Sequence, residues 1–256
     1  MTQPPAGSIR DTAALAACYS ETSHWQHERG LLLIETAAPS GAGTILDLGC
    51  GTGELTAALA RRVGPRGRVI GVDPDPARLE FARRNAPPGL DNLGFVQASG
   101  EELGPIADGT IDLVYSNYAL HWVLDPPAVF DELRRVLRPG GRVVTEFLGM
   151  FVALFTELLL LMPGGRAMLR ENIILDEPAW RAVVTPRFDV VELSWPRFGL
   201  AYKDLPSLFA WLEATSHGAF DRTRIAPKDH AALARRFPGD IACECTGLRM
   251  ILRKPG

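Results

Sequence analysis

The sequence has few of the features that mark specialised protein classes. It contains only four cysteines and three lysines in 256 residues, and the absence of a CxxC pair argues against a zinc site or a redox motif. Cys18, Cys50, Cys243 and Cys245 are therefore expected to be reduced thiols, which predicts a cytoplasmic location. The first ten residues contain no apolar signal core, so no secretory signal is expected.

The chain also lacks a long apolar segment and a strong excess of one charge. The longest apolar run, residues 147–162, is interrupted by Glu157 and is shorter than the roughly 20 residues that span a bilayer. Lys and Arg together number 27 against 30 Asp and Glu, for a formal charge of −3. Because no global positive field favours nucleic acid or an anionic membrane, we predict a small-molecule partner, without nucleic acid or membrane.

With 46% hydrophobic and 22% charged residues, the composition is that of a globular protein. Between residues 44 and 147, short apolar and β-branched runs alternate with helical patterns. This alternation predicts βαβ units and a parallel sheet, that is, an α/β fold. The predicted strands are 44–48, 68–73, 93–98, 111–116 and 142–147, and the predicted helices are 54–63, 75–85 and 126–137.

The segments that flank this region are expected to form a cap and a cover. Residues 1–43 contain a leading helix, and the βα rhythm stops after residue 147. Further strands are predicted at 188–195 and 245–253, and helices at 205–215 and 228–236. We predict one domain, with a core at 44–147, an N-terminal cap at 1–43 and a substrate cover at 150–187 and 200–240.

A glycine loop follows the first predicted strand, in the string Thr44-Ile-Leu-Asp-Leu-Gly-Cys-Gly-Thr-Gly-Glu-Leu55. Glycines let the backbone approach a ligand closely, and the helix that follows presents free N–H groups. A phosphate-binding Walker loop would need a lysine that is missing here. A dinucleotide fingerprint would need glycine or alanine where Glu54 stands, beside the pyrophosphate. The loop therefore predicts a site for a different polar ligand.

The G-x-G-x-G spacing, with an acidic residue before it, resembles motif I of the class I S-adenosylmethionine-dependent methyltransferases. In that family the loop wraps the amino-acid part of the cofactor, which implies contacts from Asp47, Gly49, Gly51 and Gly53. Asp73 ends the second predicted strand 20 residues after Gly53, where a carboxylate can accept hydrogen bonds from both ribose hydroxyls. Pro74 follows it at the same edge.

Two later segments extend the resemblance. Residues 95–103 are similar to the family's adenine-binding segment, although Ser99 stands where the family usually has Asp; Gln97, Ser99 and the backbone of Gly100 remain the candidates. Residues 112–122 resemble motif IV and add Asn117. The resemblance implies a Rossmann-like seven-stranded sheet with one antiparallel strand, helices on both faces, an N-terminal cap helix and a helical insertion after strand five. The implied cofactor is S-adenosyl-L-methionine, with S-adenosyl-L-homocysteine as product.

The segment Ser116-Asn-Tyr-Ala-Leu-His-Trp-Val123 narrows the choice within the family. It lacks the [N/D]-Pro-Pro-[Y/F] motif of enzymes that methylate DNA and protein amides. It resembles small-molecule carboxyl methyltransferases such as the trans-aconitate, malonyl-carrier-protein and juvenile hormone acid enzymes. Residues 19–26 are similar in placement to that group's cap helix, which implies cofactor contacts from Tyr19 and Gln26.

The expected function is methyl transfer to an oxygen, carboxylate or hydroxyl, of a small and largely apolar metabolite. Methylation of carbon, nitrogen, sulfur or arsenic remains open, as does a non-methylating protein that keeps the cofactor pocket for binding or pericyclic catalysis. A hydroxyl acceptor would need a base, and His121, just after the fourth strand, is the candidate; its alternative role is packing beside Trp122. No metal is predicted.

Contacts with the acceptor are expected from the cap and from residues 150–220, because these segments cover the strand ends, and residues 150–220 supply the candidate side chains. Arginines are suited to anchoring a carboxylate, and aromatic side chains to lining an apolar pocket, although surface or core roles are the alternatives. The candidate anchors are Arg166, Arg170 and Arg197, and the candidate lining residues are Phe151, Phe155, Met162, Trp180, Trp195, Phe198, Tyr202, Phe209 and Trp211.

Overall fold

The computed structural model describes residues 11–39, 41–150, 152–163, 165–166, 169 and 174–256. The helices are α1 (Ala13–Thr22), α2 (His24–Ala37), α3 (Glu54–Val63), α4 (Pro76–Asn85), α5 (Pro126–Val136), α6 (Ala153–Leu160), α7 (Glu177–Val184), α8 (Leu205–Thr215) and α9 (Pro227–Arg236). The strands are β1 (Thr44–Leu48), β2 (Arg68–Asp73), β3 (Leu93–Gln97), β4 (Ile111–Asn117), β5 (Leu137–Leu148), β6 (Asp189–Ser194), β7 (Arg197–Tyr202) and β8 (Ile241–Arg253).

The strands form one sheet with the order β3-β2-β1-β4-β5-β8-β6. Strands β1 to β5 run parallel to one another, and β8 runs antiparallel to β5 and β6, between which it lies. The α/β fold and the single antiparallel position of the prediction are thereby confirmed. In the sheet, β1 lies between β2 and β4. The chain runs outward from β1 through β2 to β3 and then returns across the sheet to β4, so the carboxyl ends of β1 and β4 open a crevice at a topological switch point.

Among the described residues the sheet has eight strands, one more than predicted. The additional strand, β7, pairs with the first half of β8 from Ile241 to Thr246, whereas β6 pairs with the second half from Arg249 to Arg253. Strand β8 consequently begins four residues before the predicted start at 245. The prediction missed β7 because Gly199 interrupts a short run in which Leu200 and Tyr202 are the buried positions.

Within the described residues 11–39, the predicted cap contains two helices that meet at Ser23, where one leading helix was predicted. Thr12 caps α1 by accepting a hydrogen bond from the backbone N–H of Leu15 at 3.2 Å. Helix α2 packs its apolar face, including Leu33 and Ile34, against the strands and α3. Helix α1 contacts α4 and α8. Helix α2 therefore runs over one face of the sheet, from Gln26, whose carbonyl oxygen accepts a hydrogen bond from Asn117 at the carboxyl end of β4, to Ala37, whose carbonyl oxygen accepts one from Arg142.

The apolar run at residues 147–162 does not form one helix. Phe147 and Leu148 complete β5, and α6 begins only at Ala153. Gly149, which follows β5, lies so close to β8 that a Cβ there would be 2.7 Å from the carbonyl oxygen of Gly247, so no side chain fits at this position. No helix in the part of the chain that the structure describes has the length and hydropathy of a membrane span.

Candidate active site

A cavity of about 460 Å³ lies at the carboxyl ends of β1, β2 and β4 and beneath the cap. Its lining brings together nearly all of the site residues predicted from the sequence: Tyr19, Gln26, Asp47, Gly49, Gly51, Asp73, Pro74, Ser99, Gly100, Asn117 and His121. Gly53 lies outside the lining; a Cβ there would be 2.9 Å from the Cβ of Ala82, so this glycine allows α3 to pack closely against α4. The Gln97 side chain instead donates to the carbonyl of Pro74 at 3.1 Å.

The glycine loop depends on backbone conformations that favour glycine. Gly49, Gly51 and Gly53 have φ angles of 73°, 53° and 86°. At Gly49 a Cβ would lie 2.2 Å from the Cβ of Ala119, whereas at Gly51 the nearest heavy atom would be 3.8 Å away. The first glycine thus permits contact between the loop and the segment after β4, and the second leaves its backbone open to the cavity.

Asp73 connects the loop to the next helix from the end of β2. Its Oδ2 accepts a hydrogen bond from the N–H of Gly51 and its Oδ1 accepts one from the N–H of Asp75, both at 2.9 Å. The residue is buried, which raises the pKa of its carboxyl group. Each carboxylate oxygen can accept one more hydrogen bond, and the two neighbouring hydroxyls of a ribose would supply the two donors.

Asp47 lies at the end of β1 below the same loop. Its Oδ2 accepts a hydrogen bond from the hydroxyl of Thr56 at 2.7 Å. Burial raises the pKa of Asp47 to about 7, although the Thr56 hydrogen bond acts in the opposite direction. A cationic group of a ligand in the cavity would favour the ionised form of this carboxyl.

Arg78 lines the cavity from α4 and forms a buried ion pair with Asp11, a contact between distant segments that was not predicted from the sequence. The Arg78 guanidinium also donates to the carbonyl oxygen of Ala214 at 2.9 Å and lies 4.4 Å from the centre of the Tyr19 ring. The backbone N–H of Asp11 donates to Asp75 at 2.6 Å. An arginine on a helix that is largely polar in sequence gives no signal of such burial.

His217, in the segment after α8, lies next to this ion pair. It has a φ angle of 54°, and its Nδ1 lies 3.5 Å from Oδ1 of Asp11. Its ring meets that of Trp122 edge-on, with the centroids 5.5 Å apart.

A second contact between the cap and the core lies on the other side of the glycine loop. The Glu54 carboxylate accepts hydrogen bonds from the hydroxyls of Ser20 at 2.5 Å and Thr52 at 2.6 Å, which ties α1 to α3.

The opposite end of the cavity is lined mainly by aromatic and aliphatic side chains: Trp25, Tyr118, Leu148, Phe155, Leu159, Trp211, Phe220 and Cys245. We call it the acceptor end. The Trp25 ring lies 4.8 Å from Tyr118 and 5.7 Å from Trp211, and the indole N–H of Trp211 donates to Oε1 of Gln26 at 3.1 Å. Trp25 is not among the predicted lining residues, all of which lie in residues 150–220.

Several predicted acceptor residues lie elsewhere. Trp180 packs in the core of the sheet against Phe130 and Phe147. Met162, Trp195, Phe198, Tyr202 and Phe209 are also outside the lining, in core clusters or packed against them. Arg166 and Arg197 are exposed, and Arg197 lies 3.9 Å from Glu244. Phe151 and Arg170 fall outside the described residues.

His121 lines the cavity but is buried, with only 8% of its surface exposed. Its ring packs beside Trp122 with centroids 5.2 Å apart, and among the described residues its Nδ1 has no hydrogen-bond partner. Burial and the nearby His217 lower the pKa of His121 to about 3. The imidazole is therefore neutral at pH 7.

A family profile described as "Methyltransferase domain" matches residues 46–145, which include the glycine loop, Asp73 and the segment after β4. Residues 46–145 form a class I S-adenosylmethionine-dependent methyltransferase domain. The region of the match corresponds to the predicted core, so the family predicted from the motifs is confirmed.

Curated relatives of the methyltransferase domain differ in the acceptor that their names give. A malonyl-[acyl-carrier protein] O-methyltransferase of Hahella chejuensis is 37% identical over 53% of this chain and 47% of its own length. A trans-aconitate 2-methyltransferase of Deinococcus radiodurans is 45% identical over 40% and 36%. An arsenite methyltransferase of Halobacterium salinarum is 42% identical over 42% and 27%. This chain thus spans half or less of these relatives' lengths.

Solved structures share the fold over most of the chain. The YcgJ protein of Bacillus subtilis superposes with a TM-score of 0.63 at 19% identity, covering 90% of this chain and 99% of that one. At this identity the likeness shows the fold alone. The likeness covers most of the chain, whereas the family profile's match ends at residue 145.

The cavity of the methyltransferase domain fits its cofactor, as three observations show. The backbone of Gly51 is open to the cavity, the buried carboxylate of Asp73 faces it at the strand end, and among the described residues Oδ1 of Asn117 is buried without a hydrogen-bond partner. Asp73 would hold the ribose, and Asp47 and the glycine loop would hold the amino-acid part. The acidic side chains complement the cationic ammonium and sulfonium groups.

We predict that affinity for S-adenosylmethionine falls as the pH is lowered through 7. The free protein has an Asp47 carboxyl whose pKa is about 7, and the cationic cofactor binds best to the ionised form. Below that pH the proton must be released on binding, so affinity should decrease about tenfold per pH unit. Calorimetric titration between pH 5.5 and 8.5 tests this. Asp47→Asn should bind more weakly at pH 8 and show a flat profile; a wild-type profile that is itself flat would contradict the role.

Proposed function

We propose that the chain transfers the methyl group of S-adenosylmethionine to an oxygen, carboxylate or hydroxyl, of a small and largely apolar metabolite. The observation that carries this proposal is the continuity of the cavity, which has a polar end built by the glycine loop and Asp73 and an aromatic end built by Trp25, Tyr118 and Trp211. A cofactor at the first end leaves the second for the acceptor. Segments 150–187 and 200–240 supply the cover, through Phe155 and Trp211.

The work of the protein in this reaction is mainly to position the reactants. When bound, S-adenosylmethionine supplies an electrophilic methyl group on a sulfonium. Tyr118 and Trp25 border the acceptor end, and their rings exclude water and confine an acceptor beside the segment that follows β4. Holding two reactants in line converts a bimolecular step into an effectively unimolecular one, with effective molarities of ~10⁵ M or more.

The state of His121 favours a carboxylate among the two oxygen acceptors. A base whose pKa is about 3 accepts a proton from an alcohol only with great difficulty. A carboxylate is already ionised at pH 7 and needs no base. Two of the curated relatives described above carry names of enzymes that act on acidic compounds, which is consistent with this choice.

We therefore predict that His121→Ala retains methyl transfer to a carboxylate, with turnover within about threefold of the wild type, because no proton is removed in the step. Turnover would be measured at saturating cofactor, and cofactor affinity would be measured in parallel. A fall of 100-fold or more at unchanged cofactor affinity would contradict the carboxylate and assign a hydroxyl acceptor with His121 as base.

The name of one relative gives arsenite as the acceptor, but the positions of the cysteines in this chain do not favour methylation of arsenic. Cys50 and Cys245 both line the cavity, but Cys245 lies on β8, three strands from the β1 end that carries Cys50. Burial raises the pKa of both thiols. Within the described residues, no group of three or more His, Cys, Asp or Glu side chains is arranged to hold a metal ion.

The direct test uses cofactor labelled in its methyl group. The protein would be incubated with a panel of apolar carboxylic acids and with alcohols of matched shape, and the products would be analysed by mass spectrometry. Label in an ester or ether supports the proposal. Cofactor binding without transfer of label to any oxygen acceptor, or transfer only to carbon, nitrogen or sulfur, would overturn it.

A further inference from the structure

A cluster of charged side chains lies behind the acceptor end, where α2, β5 and β8 meet. At its centre is Glu146, whose side chain is 1% exposed. Oε1 of Glu146 accepts a hydrogen bond from Nε of Arg29 at 2.7 Å, and Oε2 accepts from Nε and Nη2 of Arg249 at 3.0 and 2.8 Å. The cap helix and the sheet are therefore joined through one buried carboxylate.

The cluster touches one wall of the acceptor end through Tyr118. The Tyr118 hydroxyl lies 3.4 Å from Oε1 of Glu146, and its backbone N–H donates to the carbonyl oxygen of Glu146 at 2.7 Å. Tyr118 has a φ angle of 53°, a left-handed conformation that is uncommon for a non-glycine residue. Contacts on both the backbone and the side chain hold it in this conformation.

The cluster reaches the other wall through Arg29. The Arg29 guanidinium lies 4.4 Å from the centre of the Phe198 ring, and that ring lies 5.7 Å from Trp25. Trp25 stands one helical turn before Arg29 on α2, so the two side chains share a face of the helix. Phe198 is in turn the register partner of Cys245, which lines the acceptor end.

We propose that Arg29, Glu146 and Arg249 form a clamp that positions Trp25 and Tyr118 as the walls of the acceptor end. That this end of the cavity binds the acceptor rests on the proposed function, whereas the positioning of Trp25 and Tyr118 by the clamp does not depend on it. The three are positioning residues, because none of them lines the cavity. Neutralising the carboxylate would leave two guanidiniums facing each other without a counter-charge, which would drive α2 away from β8.

The cofactor end is held by different contacts. The Ser20 and Glu54 hydrogen bond ties α1 to α3, and the Asp11 and Arg78 ion pair ties the start of the chain's described part to α4. Loosening the clamp should therefore open one end of the cavity and leave the other intact. The chain has a thiol at each end, Cys245 at the acceptor end and Cys50 in the glycine loop, so the two ends can be observed separately.

The experiment measures alkylation of these two thiols by iodoacetamide in the full-length protein, followed by peptide mass spectrometry. In Glu146→Gln we expect Cys245 to react at least tenfold faster than in the wild type and Cys50 to stay within twofold. The matched control is Asp131→Asn. It breaks the partly exposed ion pair between Asp131 on α5 and Arg187 in the segment after α7, and it should change neither rate.

Arg29→Gln is the second variant, since it leaves Glu146 paired with Arg249 and so folds if Glu146→Gln does not. It should show the same selective rise at Cys245. A parallel rise at Cys50 and Cys245 would mean general loosening, and unchanged rates would mean that α2 is held without the clamp; either result overturns the proposal. Because alkylation requires no methyl transfer, this experiment tests the clamp even if the labelled-methyl experiment contradicts the proposed function.

Discussion

Replacing Asp73 by alanine should weaken binding of S-adenosylmethionine by 100-fold or more, about 3 kcal/mol, as measured by calorimetric titration. The substitution removes the predicted acceptor of the ribose hydroxyls, and hydrogen bonds to a charged group contribute about 1.5–3 kcal/mol each. It also releases the N–H groups of Gly51 and Asp75, which Asp73 holds at 2.9 Å. The loop would thus lose its ligand contact and one of its own supports.

A matched variant separates these effects from a general loss of stability. Asp112 also accepts a backbone hydrogen bond, from Thr44 at 2.7 Å, but at the opposite edge of the sheet. Asp112→Ala should lower the free energy of unfolding to a similar extent and leave cofactor affinity unchanged. If Asp73→Ala folds and binds the cofactor as tightly as the wild type, the ribose role is wrong.

Replacing Arg78 by methionine should lower the free energy of unfolding by about 3–5 kcal/mol, the usual effect of removing one partner of a buried ion pair. Arg78 is 6% exposed and Asp11 is 7% exposed, so neither charge is solvated when its partner is lost. The substitution would also remove the hydrogen bond to Ala214 and the contact with the Tyr19 ring. Chemical denaturation at pH 7 is the measurement.

The double variant Arg78→Met with Asp11→Asn identifies the cause. Because no unpaired charge remains buried in it, the double variant should recover a large part of the stability that Arg78→Met loses. Strictly additive effects of the two substitutions would mean that the ion pair is not the source of the loss. Both variants should also bind the cofactor less tightly, since Arg78 borders the cavity beside Gly51.

The parts of the site that could be predicted from sequence are those encoded within a short segment. The glycine loop and the acidic residue at the end of β2 are local signals, because positive φ angles and the edge of a parallel sheet restrict which residues can stand there. The core strands and α3 were predicted to within a few residues for the same reason, since each of them carries its own short apolar pattern between residues 44 and 147.

The parts that could not be predicted depend on contacts between distant segments. Arg78 and Glu146 each stand in an element with an ordinary pattern, and only the fold brings them to Asp11 and to Arg29 and Arg249, respectively. The lining of the acceptor end also depends on contacts between distant segments. It combines residues from α2, α6, α8 and β8, so most of the aromatic residues predicted to line it from within residues 150–220 lie elsewhere.

The central claim is that one cavity holds the cofactor at its glycine-loop end and turns the reactive centre toward the acceptor end. A crystal structure of the complex with S-adenosylhomocysteine tests it most directly. We expect the ribose hydroxyls at the Asp73 carboxylate, the amino-acid part at the glycine loop, and the sulfur facing the space between Tyr118 and Trp25. A ligand bound elsewhere, or a sulfur directed away from these two rings, would contradict the account.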